Sequence, residues 1–479
     1  MTNTKGICLL GAVAALATLL AGCGTSAERT AVQTLHAEAI GRTRARVGGV
    51  TYSRARPPGL RPGSNLNDYL ACAALNNPQL EAAFNRWKAA LEMVLPARTL
   101  PDPRFNFSYF IQEVETRVGP QEYNAGISQT FPWFGKLKLR GQAALAGADA
   151  AQQQYESAKL ALFDEVQQAY YELYYLGRAI AITKENVGLL EQFEQIAESR
   201  YRAGTAANGD VLKAQVELDK LRDRLRTLKD LLPPSEARLN AALNRPAEAP
   251  LPIPTNLGWQ TRTPRSARLV RELTAASPQL YTNASPSIEG LLVELQTNNP
   301  DLKSLDYQAQ REERNVALAR KEFYPDVTLG VGYAEVGPAR MSGVEDSGKD
   351  PVFAGFSVNV PVWWGKYRAE VRGAQSRWAA TRQQRQDLED RLSTNLKLAA
   401  FKFQDAQRKI VLYRDALIPK ADENLHVIQR SYQAGTSDFL SLIDAERVLL
   451  EFQLTYERAV ADREQGLATV EKLVGETWP

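Results

Sequence analysis

The chain has 479 residues, 44% hydrophobic and 24% charged, enough apolar content for a large core and too much for a disordered or collagen-like protein. Its net charge is only +3, from 58 basic and 55 acidic side chains, a balance that argues against a nucleic-acid partner. With two histidines, three cysteines and three methionines, it offers no Ser/His/Asp set and no metal-ligand spacing, so no enzyme activity, metal site or catalytic residue is expected.

At the N-terminus Lys5 precedes an apolar run, 7–21, that is too short to span a bilayer comfortably. The run ends in Leu20-Ala21-Gly22-Cys23, which resembles a bacterial lipobox. Residues 1–22 therefore read as a lipoprotein signal peptide, and Cys23 as the lipidation site. Covalent lipid, palmitate included, is the only attached group expected, and Gly24 resembles the pattern sent on to the outer membrane. Cys72 is then left without a disulfide partner. Residues 23–65 read as a linker, with Arg42, Arg44, Arg46, Arg54, Arg56 and Arg61 forming a solvated basic run.

Beyond the signal, charges interrupt every apolar stretch, so any membrane crossing must use strands closed into a barrel. Alternating residues predict strands over about 104–113 and 122–131, turning near Gly119-Pro120, and again over about 326–335 and 351–360. One face carries residues such as Phe105, Phe107, Val331 and Phe356; the other carries Gly126, Gly330, Gly332 and Gly355. Four strands cannot close a membrane barrel, since known ones begin at about eight, so a lipid-facing sheet requires several copies of the chain.

The remainder is helical. No proline falls between Gly135 and Ala203, and a helix of that length extends ~100 Å. Val166, Leu173, Ile180 and Val187 recur every seven residues beside Ala169, Leu176, Thr183, Leu190 and Ala197, the pattern of a coiled-coil hairpin. Helices are predicted over about 135–203 and 209–245, then over about 366–434 and 437–474, with a kink at Pro419. Between them, nine prolines across 233–287 predict short strands and loops.

The chain is internally duplicated. Tyr201-Arg202-Ala203-Gly204-Thr205 returns as Tyr432-Gln433-Ala434-Gly435-Thr436, each glycine suited to a left-handed helix end. Asn76-Asn77-Pro78 returns as Asn298-Asn299-Pro300, and Pro101-Asp102 as Pro325-Asp326. Phe131-Pro132-Trp133-Phe134-Gly135-Lys136 returns as Val360-Pro361-Val362-Trp363-Trp364-Gly365-Lys366. The halves are placed at 66–232 and 288–479. The Trp-bearing pairs read as an interfacial aromatic belt, and Tyr170, Tyr171, Tyr174 and Tyr175 as interhelical packing.

In the order of these motifs the chain resembles the TolC-like outer-membrane efflux family, and Gln129 to Lys136 also resembles its heavy-metal-efflux branch. The resemblance implies a mainly α protein with a small β part. Three chains would form a twelve-stranded transmembrane barrel continued by a helical tunnel in the periplasm, docked on a periplasmic adaptor and an inner-membrane pump of RND or ABC type. It places Gly204, Thr205, Gly435 and Thr436 at the adaptor-facing tips. It also implies a periplasmic gate: Asp210 bonding Tyr432, and a ring of Asp444 with Ser441 and Ser437 at the other gate positions. The alternative is a structural or adhesive coiled-coil lipoprotein, which would have no use for duplicated, glycine-lined hairpins.

Overall fold

A computed structural model describes residues 26–47, 50–53, 59–255, 257, 264–275 and 288–475. The signal segment and Cys23 lie outside the described residues. The chain divides into two units, 1–41 and 42–479. Helix α1, Ser26–Thr43, supplies the described part of the first and ends two residues past the boundary. The second opens with a small hairpin, β1 Arg44–Val47 and β2 Val50–Ser53. The expected linker thus carries ordered elements: Ser26 to Thr43 contains no proline, and Val-, Thr- and Tyr-bearing residues follow it.

Helices α2 Leu66–Asn76, α3 Pro78–Glu92 and α4 Val94–Arg98 lead to β3, Arg104–Thr116, and β4, Gly119–Phe131. After a very long α5, Lys136–Arg202, come α6 Asn208–Asp230 and α7 Leu232–Ala242. The helix expected over 209–245 is therefore broken at Leu231, because Pro233 and Pro234 lack the N–H groups that continuation needs and occupy the start of a new helix instead. The next described helix, α8 Pro264–Ala275, also begins at a proline. Among the described residues of 233–287 there are two helices and irregular chain but no strand, so the strand expectation there is corrected.

The second half repeats the first: α9 Glu289–Asn298, α10 Pro300–Lys321, β5 Val327–Val336 and β6 Val352–Val358. Then α11, Trp364–Leu412, passes into a π-helical turn, Tyr413–Leu417, followed by α12, Ile418–Gln433, and α13, Phe439–Leu473. The irregularity lies just before Pro419, and the Ile418 N–H reaches back five residues to the Tyr413 carbonyl.

The Asn-Asn-Pro motif has a double use. Asn77 caps α3, accepting from the Gln79 and Leu80 N–H groups at 2.9 and 3.1 Å, while its amide donates to the Ala242 carbonyl at 3.1 Å. Asn299 caps α10 in the same way and donates to the Leu473 carbonyl at 3.0 Å. Each repeat is thereby closed from its first helix pair to its last helix. Helix α7 accordingly belongs with the first repeat, whose end moves from 232 to about Asn244.

The strands form one antiparallel sheet in the order β3-β4-β5-β6, so β4 and β5 pair across the two halves. The first hairpin turns at Arg117 and Val118, two residues before the expected point, and Gly119 (φ 139°) opens β4. Register puts Asn106, Gly126 and Gly332 on one face, continued by Ser128, Gly330 and Gly355. Phe107, Ala125, Tyr333 and Val352 lie on the other. Phe353 is the exception on the small-residue face, where its ring covers Gly332.

Long helices run away from the sheet. Helix α5 packs on α6, α10 and α13, and α11 packs on α10 and α13. Of the heptad residues, Val166, Leu173, Ala169, Leu176, Thr183, Leu190 and Ala197 are buried, but Ile180 and Val187 are only half-buried. Ala179, Ile182 and Asn186 take over the core there, because a straight helix drifts ~20° per heptad from a seven-residue repeat. Tyr170 is fully buried edge-on against Tyr69 at 5.2 Å, in keeping with a packing role.

Candidate functional site

Two places combine repeated motifs with charge: the paired helix tips and the junction of sheet and helices. At the first tip, the Gly204 N–H donates to the Tyr201 carbonyl and the Thr205 N–H to the Arg200 carbonyl, both at 2.9 Å. The Thr205 hydroxyl donates a second bond to the Arg200 carbonyl at 3.0 Å. The second tip repeats every bond, with Gly435 donating to Tyr432 and both Thr436 donors to Ser431. This is a Schellman end, which requires the left-handed backbone at Gly204 (φ 72°) and Gly435 (φ 81°). The recurring Thr is explained by its hydroxyl, which satisfies a carbonyl the helix leaves open.

The tips are tied together by Arg200, which sequence reading passed over. Its guanidinium donates to the Tyr432 carbonyl and lies over the Tyr432 ring, 4.7 Å from the centroid. Its contact residue is 232 positions away, and no local pattern announces it.

The expected gate geometry differs within the chain. Tyr432 is buried and its hydroxyl has no hydrogen-bond partner among the described residues, so the anticipated Asp210–Tyr432 bond is not made within the chain. Burial raises the Tyr432 pKa, opposed by Arg200 and reinforced by Asp210. Asp210 sits in the first turn of α6, where the helix dipole favours an acid, and pairs with Lys213 at 3.6 Å. Ser437 precedes α13 rather than lying on it. Asp438 caps that helix, accepting from the Ser441 N–H at 2.8 Å, so only Ser441 and Asp444 share the helix. Asp444 is exposed but not alone: Arg447 pairs with it at 3.1 Å and also bonds Glu217 on α6. The Arg447 bond holds the Glu217 carboxyl below its usual range. Next to them Glu446 is buried, with one carboxyl oxygen lacking a partner. Desolvation, with Glu217 nearby, pushes its pKa up to about 7.

At the junction, Lys136 is fully buried yet charged on every side. Its ammonium donates to Asp326 at 2.9 Å, Glu322 at 3.0 Å and the Tyr324 carbonyl at 3.1 Å. Asp326 also accepts from the Trp133 N–H at 2.8 Å, and Trp133 stacks on Tyr324 with centroids 5.4 Å apart. Lys136 thus locks the exit of one hairpin to the entry of the next. Of the residues expected to form an aromatic belt, Phe134, Trp363 and Trp364 are exposed, while Trp133 is packed on Tyr324. Among the described residues no group of three or more His, Cys, Asp or Glu could hold a metal ion.

The fold is thus an open four-stranded sheet continued by two long helical hairpins. The chain belongs to the outer membrane efflux protein family, whose profile matches residues 70–245 and 291–476. It is similar to nodulation protein T of Rhizobium leguminosarum bv. trifolii, 23% identical over 83% of this chain and 82% of that protein. It is similar also to the cobalt-zinc-cadmium resistance protein CzcC of Cupriavidus metallidurans, 21% identical over 85% and 88%. Among solved structures it matches the outer-membrane channel OprN with a TM-score of 0.70 and 19% identity, covering 86% of this chain and 90% of that one. The chain is an outer-membrane efflux protein.

Proposed function

We propose that three copies of this chain assemble into the exit duct of a tripartite efflux pump, conducting solutes passively from an inner-membrane pump and a periplasmic adaptor to the exterior. The observation that carries this is the sheet: four strands, two open edges, one face apolar and the other small or polar. An open edge is untenable in hydrocarbon, and three copies supply twelve strands, a number that can close around a wet lumen. Glycine, serine, threonine and asparagine would then line the bore, with Phe105, Phe107, Ile127, Leu329 and Phe356 toward lipid. The test is the mass of the purified protein in detergent together with its conductance in planar bilayers. A trimer that opens conductive pores is expected; a monomer, or a silent bilayer, overturns the reading.

The same reading places Gly204-Thr205 and Gly435-Thr436 against the adaptor. Valine at both glycines forces β-branched residues into the left-handed region, which strains both turns. Efflux should fail while trimers still form and insert; wild-type efflux would move the docking site elsewhere. Cys23 would carry lipid. Metabolic palmitate labelling should mark the wild type and not Cys23→Ala, and an unlabelled wild type removes the anchor. No part of the cargo assignment comes from the duct itself: metal resistance and nodulation relatives match this chain at nearly equal identity.

A further inference from the structure

The duplication lets one half of the chain predict what the edge of the other half meets. Within the chain, β4 of the first repeat pairs with β5 of the second, and just beyond that seam Lys136 grips Asp326. The equivalents of β4 and Lys136 are β6 and Lys366; the equivalents of β5 and Asp326 are β3 and Asp102. Ala125-Gly126-Ile127-Ser128 matches Ala354-Gly355-Phe356-Ser357, and Pro101-Asp102 with Tyr109 matches Pro325-Asp326 with Tyr333. The turns agree too: the Lys136 N–H donates to the Trp133 carbonyl, and the Lys366 N–H to the Trp363 carbonyl, both at 3.0 Å.

Yet β6 and β3 are the two edges of the sheet, and their charges lack the partners that their twins have. Lys136 is fully buried; the Lys366 side chain is 61% exposed, its nearest carboxylate Glu370 at 3.8 Å on its own helix. Asp326 has Lys136 and the Trp133 N–H. Asp102 is exposed and, among the described residues, has no hydrogen-bond or ion-pair partner.

We propose that Lys366 of one copy forms an ion pair with Asp102 of a second copy, closing the seam between subunits as Lys136–Asp326 closes the seam within each. The partner is a second copy of this chain, identified by charge complementarity and by a register taken from the internal seam. In that seam Ala125 faces Tyr333 and Ile127 faces Val331. Shifting both sides by the repeat offsets sets Ala354 opposite Tyr109, and Phe356 opposite Phe107, of the second copy. Small faces large at one pair in both seams, and apolar faces apolar at the other, on the apolar side of the sheet. Glu322 has Arg98 at its repeat position, so the intersubunit pair lacks the second carboxylate that Lys136 enjoys. By the same register Arg98 would stand beside that pair as a second cation, so the outer seam is held more weakly than the inner triad.

This rests on the trimer reading, and the experiment separates the two. The variants Lys366→Glu, Asp102→Lys and the double swap are prepared in the full-length protein, and the temperature at which detergent-resistant trimers dissociate is measured for each. Each single reversal is expected to lower the trimer fraction about fivefold or more near the wild-type midpoint, and the swap to restore most of it. In parallel, zero-length carbodiimide coupling is applied to trimers mixed from isotope-labelled and unlabelled wild type. A Lys366–Asp102 amide joining labelled to unlabelled peptides is expected. A wild-type monomer sinks the trimer itself. A wild-type trimer whose single reversals dissociate normally, or whose swap fails to rescue, overturns the pair alone. If the reversals fail to insert, the coupling decides: no mixed-label amide overturns the pair.

Discussion

Glu446 gives a quantitative handle on the tips. The residue is 1% exposed on α13, one carboxyl oxygen has no partner among the described residues, and its pKa is pushed up from the usual 4.5 to about 7. The facing charges are Glu217 from α6, which raises it, and Arg447 on its own helix, which lowers it. Below pH 4.5 both folded and unfolded forms hold the proton, and no penalty exists. Between about 4.5 and 7 the unfolded chain releases it while the folded chain retains it, so stability falls as pH rises. Above pH 7 the loss levels off, on the order of 3 kcal/mol for a gap of about 2.5 pH units. Glu446→Gln removes the titration. Hydrogen exchange of α6 and α13 amides in the assembled protein should match wild type at pH 4.5 and become clearly slower in the variant at pH 8. Exchange reports the local opening of these helices without requiring the rest of the chain to unfold. A difference between variant and wild type that is the same at both pH values would refute the assignment of the titrating group.

Lys136→Met should destabilise the sheet–helix junction by ~2–3 kcal/mol, less than a fully buried pair loses, because Glu322 and Asp326 are 31% and 23% exposed; a shift in trimer melting too small to resolve would rule the triad decorative. Tyr432→Phe removes a hydroxyl that bonds nothing in its own chain, so stability should be unchanged or higher by up to ~1 kcal/mol. A loss above that in thermal unfolding would reveal a partner supplied by another subunit. Arg447→Ala unpairs Asp444 and Glu217, so block of single channels by divalent cations should strengthen, and Asp444→Asn in that background should abolish it; equal block in wild type and Arg447→Ala would show that Asp444 does not face the permeation path.

What could be read in advance was what repeats. The Asn77 and Asn299 caps, the Gly-Thr ends and the alternating strands are local devices, each needing only neighbours within a few residues, and each left the same letters twice. Glu322 for Lys136, Tyr432 for Arg200 and Glu217 for Arg447 lie 186 to 232 residues away, so the residue types gave no sign of these pairings. Lys136 stood inside a motif read as an aromatic junction, where a buried cation is the less common outcome for a lysine. Glu446 carries no mark in the sequence that sets it apart from other helix acids, and only the fold reveals that it is buried. The missed helix at Pro264 comes from taking proline as a breaker when, at a first turn, it starts a helix. The helix expected over 209–245 instead ran through Pro233 and Pro234, which in fact end one helix and start the next. The anticipated Asp210–Tyr432 bond was carried by resemblance, and the charged side chain that lies against Tyr432 here is Arg200.

That substitution of roles makes the two tips unequal, and the inequality is itself testable. Arg200 stands 231 positions before Ser431, its repeat equivalent, and Tyr432 stands where the first half has Tyr201. Tyr432 is buried beneath the Arg200 guanidinium and against Phe439 at 5.4 Å, whereas Tyr201 is 47% exposed. Ser431 cannot reproduce the guanidinium's bond and ring contact, so the arginine clasp exists once per chain, between its own two hairpins. A charge-assisted bond plus a partly exposed cation–π contact stabilises by ~1–2 kcal/mol. Arg200→Ala should therefore raise hydrogen exchange about tenfold through Ser431–Thr436 while leaving the Tyr201–Thr205 turn near wild type, whose own bonds do not involve the lost side chain. Arg200→Lys, which keeps the charge but not the planar fork, should recover only part of the protection. Equal acceleration at both tips, or none at either, would mean that the hairpins are held by their helix packing and that the arginine adds nothing.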